Sequence, residues 1–245
     1  MPKKLRLLPF VAAIVFACNC WAQPNNPDTL LLKKQLDFAS NTFNKSMGEQ
    51  SKIYNGIEYA FYGPTFKHSP YFMNRPTWKK GTVMYNYVIY KNVPLLYDTY
   101  KDLLVLQHYN GYSQFSLYAP RVQSFDLYNH HFIYIDESTI TSQLKSGFYD
   151  ELYNGKLSLL AKRETGTLDS ITSTIVYKKF EPATTYYIKR DNKFYKVKSR
   201  GDVTSILKDH KKDIIKYIKD NNIDFAENKE QALIMTVSYY EQISK

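Results

Sequence analysis

The middle of the chain, from about residue 51 to residue 198, alternates apolar and polar side chains with a period of two. In one such run Phe115 and Leu117 alternate with Gln114 and Ser116, which predicts a strand that is buried on one face and wet on the other. Turn-forming residues interrupt the pattern roughly every eight to twelve residues, a spacing that favours an antiparallel meander. A chain with this pattern is constrained to fold around a large antiparallel sheet.

Turn signals inside this region predict where the strands end. The alternation is unbroken from Val83 to Ile89, which predicts one strand, whereas the polar stretch from Glu164 to Ser173 is expected to be a loop. Asn-Gly suits the two positive-φ positions of a type I′ hairpin turn. We therefore expect hairpin tips at Asn55-Gly56, Asn110-Gly111 and Asn154-Gly155.

Helical spacing flanks this region on both sides. Leu32, Leu36 and Ala39 follow one another at intervals of three or four, which predicts a helix that ends near Met47. The helical period returns at the capping pattern that begins with Ser199. The expected class is α+β: a mainly antiparallel β meander, as a curved sheet or half-barrel, with an N-terminal helix and a C-terminal unit of two to three helices.

These changes in period divide the chain into four segments. Residues 1–22 are expected to be a signal peptide, and residues 23–50 an N-terminal helix. Residues 51–198 are the antiparallel β domain, and residues 199–245 are the C-terminal helical unit. A unit of about 45 residues is too small to bury a core of its own, so we expect it to pack on the β domain.

The N-terminus has the order of a secretory signal. Three basic residues precede an apolar stretch from Leu7 to Cys18. As a helix this stretch reaches about 18 Å, which is too short to cross roughly 30 Å of hydrocarbon. Signal peptidase is expected to cut between Ala22 and Gln23, which gives a periplasmic or secreted protein.

A lipid anchor is the alternative to simple cleavage. Residues 15–18 loosely resemble a bacterial lipobox, which would keep Cys18 as an acylated first residue, although Phe16 is bulkier than such motifs usually allow. Ordinary cleavage removes both cysteines, Cys18 and Cys20. The mature chain then has no disulfide, no catalytic thiol and no thiolate metal ligand.

Positive charge is concentrated near the C-terminal end. The net charge is +10, and residues 189–219 hold 11 Lys or Arg against 4 Asp or Glu. Lys212, Lys216 and Lys219 are expected to face outward, where they could meet an anionic envelope surface or a protein partner. Only 6 residues are Arg, which nucleic-acid readers favour, so we expect no nucleic-acid partner. No later stretch is apolar enough to be a transmembrane segment of the mature chain.

The 23 tyrosines have two interpretations. Tyrosine favours strands and tolerates half-burial, because its ring packs while its hydroxyl stays wet. A sheet with one solvated face therefore accounts for the enrichment. An aromatic platform for sugars or other flat ligands is the sharper alternative.

Candidates for catalysis are few. His130-His131 followed by Asp136-Glu137 is the densest group of metal-capable side chains. Neighbours in a strand point to opposite faces, so we expect no metal site there. Nucleophile elbows, Gly-rich phosphate loops and HExxH helices do not occur in the sequence. We assign no catalytic residue, leave the binding residues open and expect no cofactor.

Several turn and packing motifs occur together along the chain. They are Ile53-Tyr54-Asn55-Gly56, Trp78-x-x-Gly81, Gly147-Phe148-Tyr149, Tyr153-Asn154-Gly155-Lys156, Tyr195-x-Val197-x-Ser199 and Tyr239-Tyr240. In this combination the chain resembles a group of exported proteins from Bacteroidota-type bacteria whose function is unknown. The resemblance covers most of the mature chain. It implies export and brings no catalytic residue with it.

Together these observations favour an exported envelope protein that binds or supports a partner without catalysis. One alternative is a hydrolase that acts on an envelope or environmental polymer. It would need convergent groups such as Glu151, Asp136 and His131. The other alternative is a half-barrel that holds an acyl chain on its apolar concave side.

Overall fold

A computed structural model describes residues 27–48, 51–136, 144–171 and 176–244. The expected cleavage site at Ala22 and Gln23, the lipobox residue Cys18 and Glu137 lie outside these ranges. The described residues include no cysteine, so they hold no disulfide. The chain divides into two units, residues 1–40 and 41–245.

The architecture is α+β and mainly antiparallel, as the sequence predicts. Helix α1 begins the described chain, and helices α2 to α4 end it. Twelve strands lie between them in one open sheet with the order β1-β6-β5-β4-β3-β7-β8-β9-β10-β11-β12, and β2 pairs with β11 off this path. The bounds are α1 Pro27–Met47, β1 Ile57–Glu58, β2 Phe66–Lys67, β3 Lys79–Tyr85, β4 Val88–Asp98, β5 Leu103–Gln107, β6 Gln114–Ser116, β7 Val122–Leu127, β8 His130–Ile135, β9 Gly147–Asn154, β10 Ser158–Ile171, β11 Val176–Arg190, β12 Lys193–Val197, α2 Arg200–Ile206, α3 Lys211–Asp220 and α4 Lys229–Ile243.

Three tight hairpins turn at residue pairs that contain no glycine. Both central residues have positive φ at each of these turns, as a type I′ turn requires. The prediction of one strand from Val83 to Ile89 is therefore wrong, because the chain reverses inside it. The three pairs are Asn86-Tyr87, Tyr128-Asn129 and Asp191-Asn192.

The three Asn-Gly pairs behave differently from one another. Gly111 has positive φ and lies in the connection from β5 to β6, and Gly155 lies between β9 and β10. The expected tip at Gly56 is wrong, because this residue precedes β1 and joins no hairpin. A Cβ at Gly56 would collide with the ring of Phe115 and the carbonyl oxygen of Ser116. Glycine is therefore needed at this position for close approach to β6.

Two further expectations about the sheet need correction. The stretch from Glu164 to Ile171 is not a loop but the outer half of β10, paired with β11 along its length. Phe115 in β6 and Leu117 directly after it are buried as predicted, but Ser116 is buried too. Ser116 is covered because β1 adds to this edge of the sheet and pairs with it.

Aromatic side chains fill the concave side of the curved sheet. The ring of Tyr97 in β4 lies 5.3 Å from Phe125, 5.0 Å from Phe132 and 5.8 Å from Phe148, measured between centroids. These rings come from β4, β7, β8 and β9, so the sheet curls far enough for non-neighbouring strands to touch. All four side chains are almost fully buried, and the concave interior is a packed core.

Residues 57–74, which we call the strap, connect distant parts of the sheet. Strand β1 pairs with β6, Tyr71 forms a bridge to Asp98 at the end of β4, and β2 pairs in parallel with β11. The hydroxyl of Thr99 also donates to the carbonyl oxygen of Pro70 at 2.7 Å. The strap thus holds the end of β4 beside β11.

The C-terminal helices pack on one face of strands β10 to β12. Val203, Ile214 and Val237 form one core cluster with Leu159 and Ile188 of the sheet. Helix α2 begins with the predicted capping box, in which the Ser199 hydroxyl accepts from the amide of Asp202. In α3 Ile214 and Ile218 are buried, whereas Ile215 is 46% exposed.

Candidate functional site

A groove lies on the sheet face opposite the helices. Leu159 and Ala161 of β10 pack against the helices. Leu160 between them points the other way and packs with Ile135 and Tyr149. The groove on this outer face has a volume of about 720 Å³, a size typical of ligand sites. Its lining consists of Pro120, Ile133, Tyr134, Ile135, Asp136, Glu151, Ser158, Leu160, Lys189, Asn192 and Phe194.

The lining combines an apolar floor with polar side chains that are negative, positive or neutral. Glu151 of β9 and Lys189 of β11 bring opposite charges to it, and Ser158 and Asn192 add neutral polar groups. The Nζ atom of Lys189 lies 5.7 Å from the ring centroid of Phe194, in cation–π range. Such a surface can bind a ligand with both hydroxyl groups and apolar faces.

Two of the three residues proposed for a hydrolase share this groove. Asp136 and Glu151 both line it. His131 is not part of the lining, and its Nδ1 lies 2.6 Å from Oδ1 of Asp126 on the adjacent strand. Among the described residues no three His, Cys, Asp or Glu side chains are arranged to hold a metal ion.

A buried charge network crosses the other face of the sheet. The carboxylate of Asp150, only 1% exposed, lies 2.8 Å from His130 Nδ1 through its Oδ2. The same oxygen accepts from Nε and Nη2 of Arg163 at 3.0 and 2.5 Å. The guanidinium then reaches Glu230 of α4 through Nη1 at 2.7 Å. One arginine therefore holds two carboxylates and joins β9, β10 and α4.

The environment of this network shifts its pKa values. Burial alone would lower the pKa of Arg163, but the hydrogen bond to Glu230 and the charge of Asp150 outweigh burial and raise it. The Tyr186 hydroxyl donates to Glu230 at 3.0 Å. Burial and then this carboxylate raise the pKa of Tyr186 to about 12. The arginine stays charged and the tyrosine stays neutral, which suits a structural tie.

A second buried carboxylate fixes the strap. Asp98 is fully buried, and its Oδ2 accepts from the hydroxyls of Tyr59 and Tyr62, each at 2.7 Å. Its Oδ1 accepts from the backbone amides of Tyr100 and Lys101 at 2.9 and 3.0 Å. Burial is the largest cause of the raised pKa values of Tyr59 and Tyr62. This carboxylate is fully engaged in holding the fold.

Sequence reasoning missed both buried clusters. Their members are far apart in the chain: Asp150 and Glu230, for example, meet only through Arg163. Nothing in the local spacing of these residues signals the contact, because it depends on strand register and on the docking of α4.

Comparisons with known proteins give no assignment. No family model, no curated protein and no solved structure matches the chain. Among the helices that the structure describes, none combines the length and the apolar character needed to cross a bilayer.

Proposed function

We propose that the protein is an exported, non-enzymatic binding protein of the bacterial envelope, and that its outer-face groove binds a hydroxyl-rich polymer such as a glycan. The mixed lining of the groove carries this proposal. Glu151, Asn192 and Ser158 offer hydrogen bonds, while Phe194 offers an apolar ring. Carbohydrates present both kinds of surface.

The packed concave side argues against the lipid-binding alternative. An acyl chain would need space between the strands that curl around Tyr97, and aromatic rings occupy that region. Phe125 and Phe132 stack there with centroids 4.6 Å apart. A chain molecule is better accommodated on the outer face.

Hydrolysis of such a polymer is the second candidate function. It is favoured by one observation, the shared location of Asp136 and Glu151 in the groove. Paired carboxylates can act as acid and base on a glycosidic bond. The binding proposal is preferred because the third group that the hydrolase would need, His131, faces Asp126 and does not line the groove.

The proposal also includes export of the protein and its relationship to the exported Bacteroidota-type group. Cleavage after Ala22 would place the mature chain, beginning at Gln23, in the periplasm or outside the cell. Kinship with the exported Bacteroidota-type group is consistent with this location. The mass of the N-terminal peptide of the protein purified from its own cells tests the location: a chain that still begins at Met1 would contradict it.

Binding is tested by affinity electrophoresis against a panel of soluble bacterial and plant polysaccharides. We expect retardation by at least one polysaccharide, and a roughly tenfold loss of affinity in Phe194→Leu, which keeps apolar bulk but removes the ring face. Glu151→Gln removes a charged acceptor and should cost a similar factor. Tyr112→Ala, at an exposed turn residue outside the groove lining, is the control.

The outcomes separate the two candidate functions. If Phe194→Leu, Glu151→Gln and the control bind alike, the groove is not the site. If a polysaccharide is cleaved and Glu151→Gln abolishes cleavage while retaining binding, the protein is a hydrolase and the non-enzymatic proposal is wrong.

A further inference from the structure

Helix α3 presents a row of lysines on the side opposite its buried face. Ile214 and Ile218 are buried against the other helices and the sheet. Lys212, Lys216 and Lys219, which we call the basic stripe, are exposed. They follow one another at intervals of four and three, so they lie along one side of the helix.

Of the acidic residues near the basic stripe, Asp209, Asp213 and Asp202 have partners of their own, whereas Asp220 at the end of α3 is exposed. Oδ1 of Asp209 lies 2.9 Å from Nη1 of Arg190, and Oδ2 of Asp213 lies 3.5 Å from Nδ1 of His210. Asp202 accepts from the backbone at the start of α2. Within the described ranges no ion pair involves a lysine of the basic stripe. Helix α3 as a whole carries four lysines against two aspartates, so the side that bears the basic stripe keeps a net positive charge.

An apolar side chain lies within the same exposed surface. Ile215, 46% exposed, is three positions after Lys212 and four before Lys219, so it lies beside both on the helix surface. In a membrane interface, lysines meet lipid phosphates while neighbouring apolar side chains enter the headgroup layer. In α3 Ile215 is placed to enter this layer, whereas Ile214 and Ile218 are buried in the protein.

We propose that the basic stripe of α3, with Ile215, docks the protein on the anionic phospholipid headgroups of a membrane surface. A soluble anionic polymer would match the charge but would gain little from Ile215. The groove lies on the sheet face opposite the helices, so docking through α3 would leave it open to the surrounding solution. The inference does not depend on what the groove binds.

Vesicle sedimentation tests this docking. The exported protein is mixed with phosphatidylcholine vesicles, with and without phosphatidylglycerol, and we expect binding only when phosphatidylglycerol is present. Each lysine near an anionic surface contributes roughly a fivefold factor. Replacing the three lysines of the basic stripe with Gln should therefore lower the partition coefficient about 100-fold, and raised salt should weaken wild-type binding.

A charge-matched control separates the stripe from the net charge. Lys52, Lys79 and Lys80 are also exposed, and replacing all three with Gln removes the same charge elsewhere on the molecule. We expect this control to keep most of its binding. Ile215→Ser should show a smaller loss than the stripe variant. Because the lysines face outward, circular dichroism should show unchanged unfolding for the stripe variant and for its counterpart with Glu at the same positions.

Several results would overturn the proposal. Equal losses in the stripe variant and its control would mean that only net charge matters. Equal binding to both kinds of vesicle would indicate apolar anchoring instead. Binding to soluble polyphosphate without binding to phosphatidylglycerol vesicles would identify an anionic polymer as the partner. Unfolding of the stripe variant would contradict the outward placement of these lysines.

Discussion

Replacing Arg163 with Met should destabilise the protein strongly, because this guanidinium neutralises a buried carboxylate. Asp150 is 1% exposed, and two of the three polar contacts to its Oδ2 come from Arg163. Its Oδ1 has no hydrogen-bond partner in the described structure. In the variant Asp150 would keep only His130. Breaking a buried ion pair by removing one partner costs about 3–5 kcal/mol.

Urea unfolding followed by circular dichroism measures this cost. For a domain of this size it corresponds to a fall in Tm of about 6–20 °C. Arg75→Met is the matched control: Arg75 is exposed and lies 4.8 Å from the ring centroid of Tyr128. Losing such an exposed contact should cost less than about 1 kcal/mol.

A double variant shows whether the loss of stability comes from the unpaired charge of Asp150 or from the lost packing of the Arg163 side chain. If the orphaned charge of Asp150 causes the loss, Arg163→Met combined with Asp150→Asn should be more stable than Arg163→Met alone. A loss below about 1 kcal/mol in Arg163→Met would refute the reasoning. The network would then not be a main source of stability.

Two other predictions concern the backbone and pH. Gly147 has φ 146°, and a Cβ there would collide with Asp102 Oδ2, so Gly147→Ala should lower the free energy of unfolding in urea by at least about 2 kcal/mol. A Cβ at Gly63 would meet open space, so Gly63→Ala should change this free energy little. Equal losses of stability in the two variants would contradict the reasoning. Burial raises the pKa of Tyr59 and Tyr97 above the ordinary 10.0. Their contribution to stability is complete below pH 10 and falls as pH rises towards the folded-state values. The tyrosinate absorbance of these two buried side chains should therefore appear only together with loss of structure. Full ionisation of all 23 tyrosines near pH 10 with the fold intact would be the opposite result.

Local sequence signals predicted those parts of the fold that depend on neighbours in the chain. The capping box at Ser199 follows from the spacing of three between Ser199 and Asp202, and the structure contains it. The hairpin at Asn86-Tyr87 escaped prediction because only Asn favours positive φ, whereas Tyr adopts it at a cost, so the pair is a weaker turn signal than Asn-Gly.

The remaining errors arise where distant residues decide burial. The outer half of β10 consists mainly of polar residues, yet Thr165 within it is buried, and its hydroxyl lies 2.7 Å from that of Thr99. The candidate groove has the same origin. Glu151 and Lys189 line it together only because β9, β10 and β11 are neighbours in register, which no single segment encodes.

The strap also makes folding depend on the order in which the chain becomes available. Phe66 of β2 pairs with Lys178 of β11, more than one hundred residues later in the chain. Pairing between such distant segments is slow, because the two ends of the long intervening chain must first meet. A chain that is made from its N-terminal end would hold Tyr62 and Phe66 without Phe180, which both rings contact, until β11 is available. Until then these rings stay exposed to solvent, and this part of the fold is completed only when an early segment of the chain meets a late strand.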